Sequence, residues 1–267
     1  MIKAIFFDMD GTLVGYNGEG KGEIPASARE VLAELRQKGV KIFAATGRCR
    51  EEMDTLPYLR TVEFDAVAAM NGQYCYTDTE ELLVAPLAAE DLQGFLDLQQ
   101  DGAVPAIIVE KMKCYVNMFT PEFSAAIAKI DSVLPEVLDC SDLPEKEVIQ
   151  VVAFADEATE QRVEAAMPGA KATRWCPEFV DVISRTGGKD KGIEAILKHF
   201  GLKQDEFIAF GDGQNDMGML QTAKIGIAMG NADEKLKAVA DEVCADVNDD
   251  GVAITLRRYL AAGLFDE

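Results

Sequence analysis

Residues 2–7, IKAIFF, show no polar alternation after Lys3. A strand of that kind has to be covered on both faces, which is the condition of a parallel sheet with helices on either side. The following residues supply the covering. IPASAREVLAELRQKG (24–39) reads as a helix with Pro25 near its first turn, Val31, Leu32 and Leu35 on one face and Gly39 at its stop. VKIFAAT (40–46) and DAVAAMNG (65–72) read as two more buried strands. Strand, helix, strand, helix, strand is the pattern of right-handed crossovers in one parallel sheet.

The pattern changes near residue 74. QYCYTDTEELLVAPL reads as two short strands around a turn, PAIIVE and KCYVNMF as a hairpin, and VIQVVAFAD, GAKATRWC and FVDVIS as further strands. Helical stretches lie between them at AEDLQGFLDLQQDG, PEFSAAIAKIDSVL and EATEQRVEAAM. Paired strands with helices between them predict an antiparallel sheet with helices on one face. After residue 184 the alternation returns: helix over 191–200, strand EFIAFGD, helix over 215–221, strand IGIAM, and helices over 233–239 and 250–262. The chain therefore divides into a core, 1–80 with 186–267, and an inserted α+β part, 81–185.

Composition removes several chemistries. The net charge of −21 opposes nucleic acid as a main partner, because duplex binding depends on Lys and Arg neutralising phosphates. The six cysteines form no Cys-x-x-Cys pair, so neither a zinc site nor a redox dithiol is signalled. The single histidine, His199, stands before a helix-ending glycine, where it serves as a last-turn cation. Catalytic Ser-His-Asp sets and multi-histidine metal sites are thereby disfavoured. With no signal-like N-terminus and no long apolar run, the expectation is a cytoplasmic protein without membrane contact.

In an open parallel sheet, ligands bind outside the carboxyl ends of the strands. Here those ends carry Asp8 and Asp10, then Thr46, Gly47 and Arg48, then Asn71 and Gly72, then Asp212 with Asn215 and Asp216. Four converging aspartates require a cation, and an all-oxygen ligand set points to a hard ion, Mg²⁺. Beside it Asp8 is a carboxylate nucleophile of the aspartyl-phosphate kind, and Asp10 reaches the leaving oxygen as general acid. Thr46 offers a hydroxyl and Gly47 a backbone N–H to phosphate oxygens. A lysine has to offset the transferring charge, and Lys189 and Lys191 are both candidates.

DMDGT (8–12), ATGR (45–48), KDKG (189–192) and GDGQND (211–216) resemble, in order, the four motifs of the haloacid dehalogenase (HAD) superfamily. AMNG (69–72) and AMGNA (228–232) further resemble its Cof-type, class IIB sugar-phosphatase branch. The resemblance implies a Rossmann-like, three-layer α/β core with an inserted C2B-type cap. It implies Mg²⁺ on Asp8, on the backbone carbonyl of Asp10 and on Asp212. Phosphate is then held by the Met9 backbone, Thr46, Gly47, the lysine and Asn215. The motif spacing selects Lys189 over Lys191. Arg48 reads as a substrate or cap contact and is counted with the phosphate-binding set, Asp216 as support for its loop, Asn71 as part of its turn, and Trp175 as core. Cap loops facing the core are expected to set substrate choice.

Asp10 favours phosphoryl chemistry over dehalogenation. The implied activity is hydrolysis of small phosphorylated metabolites, sugar phosphates first among them. A sugar phosphomutase is the alternative, and a non-catalytic phosphoryl receiver, which carries no inserted part, stands behind it. The oligomeric state is left open.

Overall fold

A computed structural model of the chain describes residues 1–17, 20–100, 102–129 and 135–266. It is an α/β structure with a Rossmann-like core. Its larger sheet has eight strands in the order Glu242–Val243, Ile225–Ala228, Phe207–Gly211, Ala4–Phe7, Lys41–Ala45, Ala66–Ala69, Tyr74–Tyr76, Glu81–Val84. The first six run parallel, Tyr74–Tyr76 pairs antiparallel with the sixth, and Glu81–Val84 pairs antiparallel with Tyr74–Tyr76.

Every residue of Ala4–Phe7 is buried, as the missing polar alternation predicts for a central strand. Phe6 packs on Phe43 and Phe207 with ring centroids 4.7 and 5.2 Å away, and Phe7 stacks on Phe210. Truncating one such ring to alanine costs about 3–5 kcal/mol through lost burial and the cavity left behind. The helix Ala26–Gln37 turns Ala28, Val31, Leu32 and Leu35 inward and ends at Gly39, whose φ of +85° suits glycine. Register then aligns the functional segments: Phe7 pairs with Phe210 on one side and Ala44 on the other. Asp8, Thr46 and Asp212 consequently leave neighbouring strands at the same edge.

The smaller sheet has six strands in the order Glu136–Val137, Lys113–Val116, Ala106–Glu110, Val148–Phe154, Phe179–Ser184, Ala170–Arg174. It is antiparallel except where Glu136–Val137 joins Lys113–Val116. The helices Ala89–Gln100 and Glu157–Ala166 bring Leu92, Phe95 and Val163 onto Ile108, Val151, Ala153, Val180 and Val182. Because side chains alternate along a strand, Gln150, Val152 and Asp181 must emerge on the other face. That face looks onto the carboxyl ends of the large sheet.

Several elements depart from the sequence expectation. The strand Glu81–Val84 hydrogen-bonds to Tyr74–Tyr76 in the large sheet, so the change of sheet comes after Val84 rather than at residue 81. The helix expected over 191–200 is Lys189–Phe200, which puts Lys189 at its first position. The stretch over 215–221 divides into a 3₁₀ turn, Gln214–Asp216, and the helix Met217–Thr222. In that turn the Asp216 carboxylate takes the N–H groups of Asp212 and Gly213, a side-chain competition that favours a tight turn over a regular helix. The helix expected over 121–134 is Pro121–Ile127, and residues 130–134 lie outside the described residues.

Candidate active site

Between the sheets lies a cavity of about 710 Å³. Its floor carries Asp8, Asp10, Thr46, Gly47, Arg48, Asp212 and Asn215, and its roof Gln150, Val152, Trp175 and Asp181.

At the floor the carboxylates of Asp8, Asp212 and Asp216 each place an oxygen within 4.8 Å of the others. The fully buried Lys189 Nζ donates to Asp8 Oδ1 at 2.5 Å and to Asp216 Oδ1 at 2.6 Å. Lys191 is half exposed and pairs with Glu194, so of the two candidate lysines only Lys189 meets Asp8. Asp216 Oδ2 accepts from the N–H groups of Asp212 and Gly213, both at 3.0 Å. With its other oxygen on Lys189, Asp216 is committed to holding its own loop. Asp212 Oδ1 accepts from the Thr12 hydroxyl at 3.0 Å. Gly11 has φ +84°, and a Cβ there would run into Asp212 Oδ2. The glycine of DMDGT is therefore required by close approach as well as by backbone conformation.

Burial pushes the Asp8 carboxyl well above its usual range; Lys189 opposes this, and Asp216 and Asp212 add to it. Burial together with Asp216 pushes Asp212 up to about 6. Lys189 loses by burial, but Asp216 and Asp8 more than offset that and hold its pKa above the ordinary lysine value. Three acids and one ammonium leave a largely buried cluster short of positive charge, a deficit that a divalent cation removes. The donor set is all oxygen, and Asp8 and Asp212 both border the open cavity. These residues fit a hard metal ion.

Asp10 is held differently. Arg48 grips it bidentately, Nε to Oδ2 at 2.7 Å and Nη2 to Oδ1 at 2.8 Å, and the Tyr16 hydroxyl donates to Oδ1. Arg48 also meets Glu52 at 3.3 Å. The arginine counted from sequence with the phosphate-binding residues is thus buried in the cavity wall and engaged by carboxylates. Thr46 Oγ1 accepts from the Arg48 N–H at 3.1 Å, while the side chain of Met9 is fully buried.

The roof contains residues that sequence reasoning missed. Asp181 Oδ2 accepts from Asn71 Nδ2 at 2.7 Å, and its Oδ1 from Trp175 Nε1 at 3.0 Å. Gln150 Oε1 also accepts from Asn71 Nδ2, at 3.1 Å. Burial pushes Asp181 up to about 7 against the lowering effect of these donors. Trp175, assigned from sequence to the core, is 45% exposed, stacks on Phe179 at 5.5 Å and borders the cavity. That assignment is corrected: the ring lies beyond the end of the strand Ala170–Arg174, where the sheet no longer covers it. The available signal was a single polar residue inside an apolar strand, Gln150 in VIQVVAF and Asp181 in FVDVIS. His199 sits 3.6 Å from Glu80, outside the cavity.

Comparison with known proteins gives a consistent answer. Residues 5–256 match the family described as haloacid dehalogenase-like hydrolase. The chain is 30% identical over 257 residues to YkrA of Bacillus subtilis (strain 168), named as a candidate phosphatase, covering 96% of each chain. It superposes on the HAD subclass IIB sugar phosphatase BT4131 with a TM-score of 0.85 and 35% identity, covering 96% of this chain and 98% of that one. For BT1666 of Bacteroides thetaiotaomicron, described among phosphatases of the HAD superfamily, the values are 0.86 and 32%, covering 97% and 95%. Among the described residues no helix is long and apolar enough to cross a membrane. The aspartates at the ends of the parallel strands, the buried lysine that joins them and these likenesses agree: the chain belongs to the haloacid dehalogenase-like hydrolases, in the Cof-type class IIB branch, and is a phosphatase.

Proposed function

We propose that this phosphatase is a Mg²⁺-dependent phosphomonoesterase that hydrolyses small phosphorylated metabolites, sugar phosphates in particular, through an aspartyl-phosphate on Asp8. In this reading the large sheet is the catalytic core, and the residues that follow Val84, up to about 185, form a cap that closes over it. The observation that carries the proposal is Lys189, wholly buried and bridging Asp8 and Asp216 beside Asp212, at a strand edge open to the cavity.

Asp8 and Asp212, with the Asp10 carbonyl, would hold the ion, which supplies charge neutralisation for the phosphoryl oxygens. The Asp8 carboxylate attacks phosphorus as the bond to the leaving oxygen breaks. Lys189, Thr46, Asn215 and the backbone around Met9 and Gly47 surround the transferring group and offset its charge. Asp10 gives its proton to the leaving oxygen, then takes one from the water that hydrolyses the aspartyl-phosphate. The Arg48 guanidinium and the Tyr16 hydroxyl keep the Asp10 carboxylate aimed while it waits for that second step.

The sugar-phosphate reading is supported by the roof, where an exposed indole face lies beside a carboxylate and an amide able to meet hydroxyl groups. Six free cysteines suit a reducing cytoplasm. The test is Asp8→Asn assayed on p-nitrophenyl phosphate with Mg²⁺. Turnover is expected to fall at least about a thousandfold, as when an enzymatic nucleophile is removed. Turnover near that of the wild type would defeat the mechanism.

A further inference from the structure

Three consecutive residues, Met70, Asn71 and Gly72, have positive φ values of 51°, 54° and 80°. Glycine adopts that region freely and asparagine tolerates it, but methionine pays for it, so the surroundings must impose the turn. They do so through two backbone bonds: Met70 N–H donates to the Arg48 carbonyl at 3.0 Å, and Asn71 N–H to the Thr46 carbonyl at 2.8 Å. A Cβ on Gly72 would strike the Gly188 carbonyl, just ahead of Lys189. The turn is thus fastened to both phosphate-facing segments, with Asn71 2% exposed.

That side chain joins the two sheets. Its nitrogen donates to Asp181 Oδ2 and Gln150 Oε1 in the roof, and its oxygen accepts from Asn215 Nδ2 in the floor at 3.0 Å. Asp181 Oδ1 is taken by the Trp175 indole N–H and its Oδ2 meets Asn71 as an acceptor, so this carboxyl sets which end of the Asn71 amide faces the roof. The Asn71 oxygen must then face Asn215 and hold the Asn215 amide with its nitrogen toward Asn71. Gln150 adds a second tie, its Nε2 donating to the Gly47 carbonyl at 3.4 Å. Roof position, the Asn71 amide and the Asn215 amide therefore form a single chain of fixed polarity.

We propose that Asn71 is a positioning residue that couples closure of the small-sheet module to the orientation of Asn215, with Asp181 and Gln150 as the groups that report closure. The coupling rests on the reading of the floor as a phosphoryl-transfer site. Asp181 acts through Asn71 and needs no contact with phosphate.

The full chain is assayed as wild type, Asn71→Asp, Asp181→Asn and the double exchange, with p-nitrophenyl phosphate and Mg²⁺. Inorganic phosphate serves as product inhibitor, and its binding is measured by calorimetry. Asn71→Asp sets two carboxylates against each other, and the amide in Asp181→Asn cannot serve both Asn71 and Trp175 as an acceptor. Each single variant is expected to weaken phosphate inhibition about tenfold, the scale of one buried hydrogen bond left unmade. In the double exchange the new amide at position 181 donates to the new carboxylate at position 71 and still accepts from Trp175, while the Gln150 amide turns over to donate to that carboxylate in place of the Gly47 carbonyl. Phosphate affinity should return to within a few-fold of wild type. A purely structural role would shift the melting temperature and leave phosphate inhibition unchanged, and that result would overturn the proposal. Failure of the double exchange to recover, with both proteins folded, would overturn it as well. If Asn71→Asp does not fold, Asp181→Asn alone decides, and unchanged phosphate binding counts against the coupling. If the wild type shows no turnover, the phosphatase reading fails separately. Weaker phosphate binding by Asp181→Asn would then still support the coupling.

Discussion

The floor and the roof of the cavity use carboxylates in opposite ways. On the floor, Asp8, Asp212 and Asp216 crowd together around one buried ammonium, and their mutual repulsion makes the place suited to a cation and a phosphate. On the roof, Asp181 stands apart among apolar strand residues and is satisfied by neutral donors, Asn71 and Trp175. Concentrated charge suits chemistry that moves charge. A lone, hydrogen-bonded carboxylate suits recognition and alignment, where polarity matters more than net charge.

The contrast can be broken most sharply at Lys189. Lys189→Met should cut turnover at least about a thousandfold and destabilise the metal-free protein by about 3–5 kcal/mol, because it leaves buried carboxylates uncompensated. Urea unfolding with and without Mg²⁺ checks this, and the ion should restore more stability to the variant than to the wild type. Equal Mg²⁺ effects would show that the floor does not depend on charge balance. Removing Mg²⁺ with a chelator should abolish turnover of the wild type and lower its melting temperature.

The roof should respond to pH instead. The Asp181 carboxyl lies near 7 in the folded protein against 3.8 as its ordinary value. Between those values the folded state binds more protons than the unfolded, so this group's contribution to stability is full below about pH 4 and is lost as pH rises through 7. Lys189 and Glu52 also act on this carboxyl, with opposite signs. Asp181→Asn should flatten the decline by an amount on the order of a few kcal/mol across the window. Parallel unfolding curves for the two proteins over pH 4–8 would contradict the assignment. A smaller effect is expected from Trp175→Ala, which should lower kcat/KM for sugar phosphates about tenfold, more than for p-nitrophenyl phosphate. The smallest belongs to Lys191→Ala. That lysine is exposed and pairs along its own helix, so turnover and melting temperature should match wild type.

Much of the floor was legible because a parallel sheet gathers its strand ends, and a motif next to each strand marks its place there. Asp8, Asp212 and Lys189 are brought together from widely separated segments on that logic. Arg48 illustrates its limit. Its position beside Thr46 was readable, but its bidentate grip on Asp10 depends on side-chain directions in the folded loop. Trp175 shows the same limit from the other side: an aromatic residue next to apolar strands reads as core, and only its position beyond the last paired residue of its strand exposes it.

The order of buried strands, helices and polar stops along the chain determined the parallel sheet, the inserted antiparallel part and the edge where aspartates collect. Local periodicity and strand-end chemistry suffice for that, because each is set within a few residues. Which face of the smaller sheet meets that edge, and hence that Gln150 and Asp181 answer Asn71, was decided by tertiary packing. The side-chain period of a strand separates two faces but does not name the inner one. That choice came from the helices burying Val151, Ala153, Val180 and Val182, which left the polar residues between them to face the site.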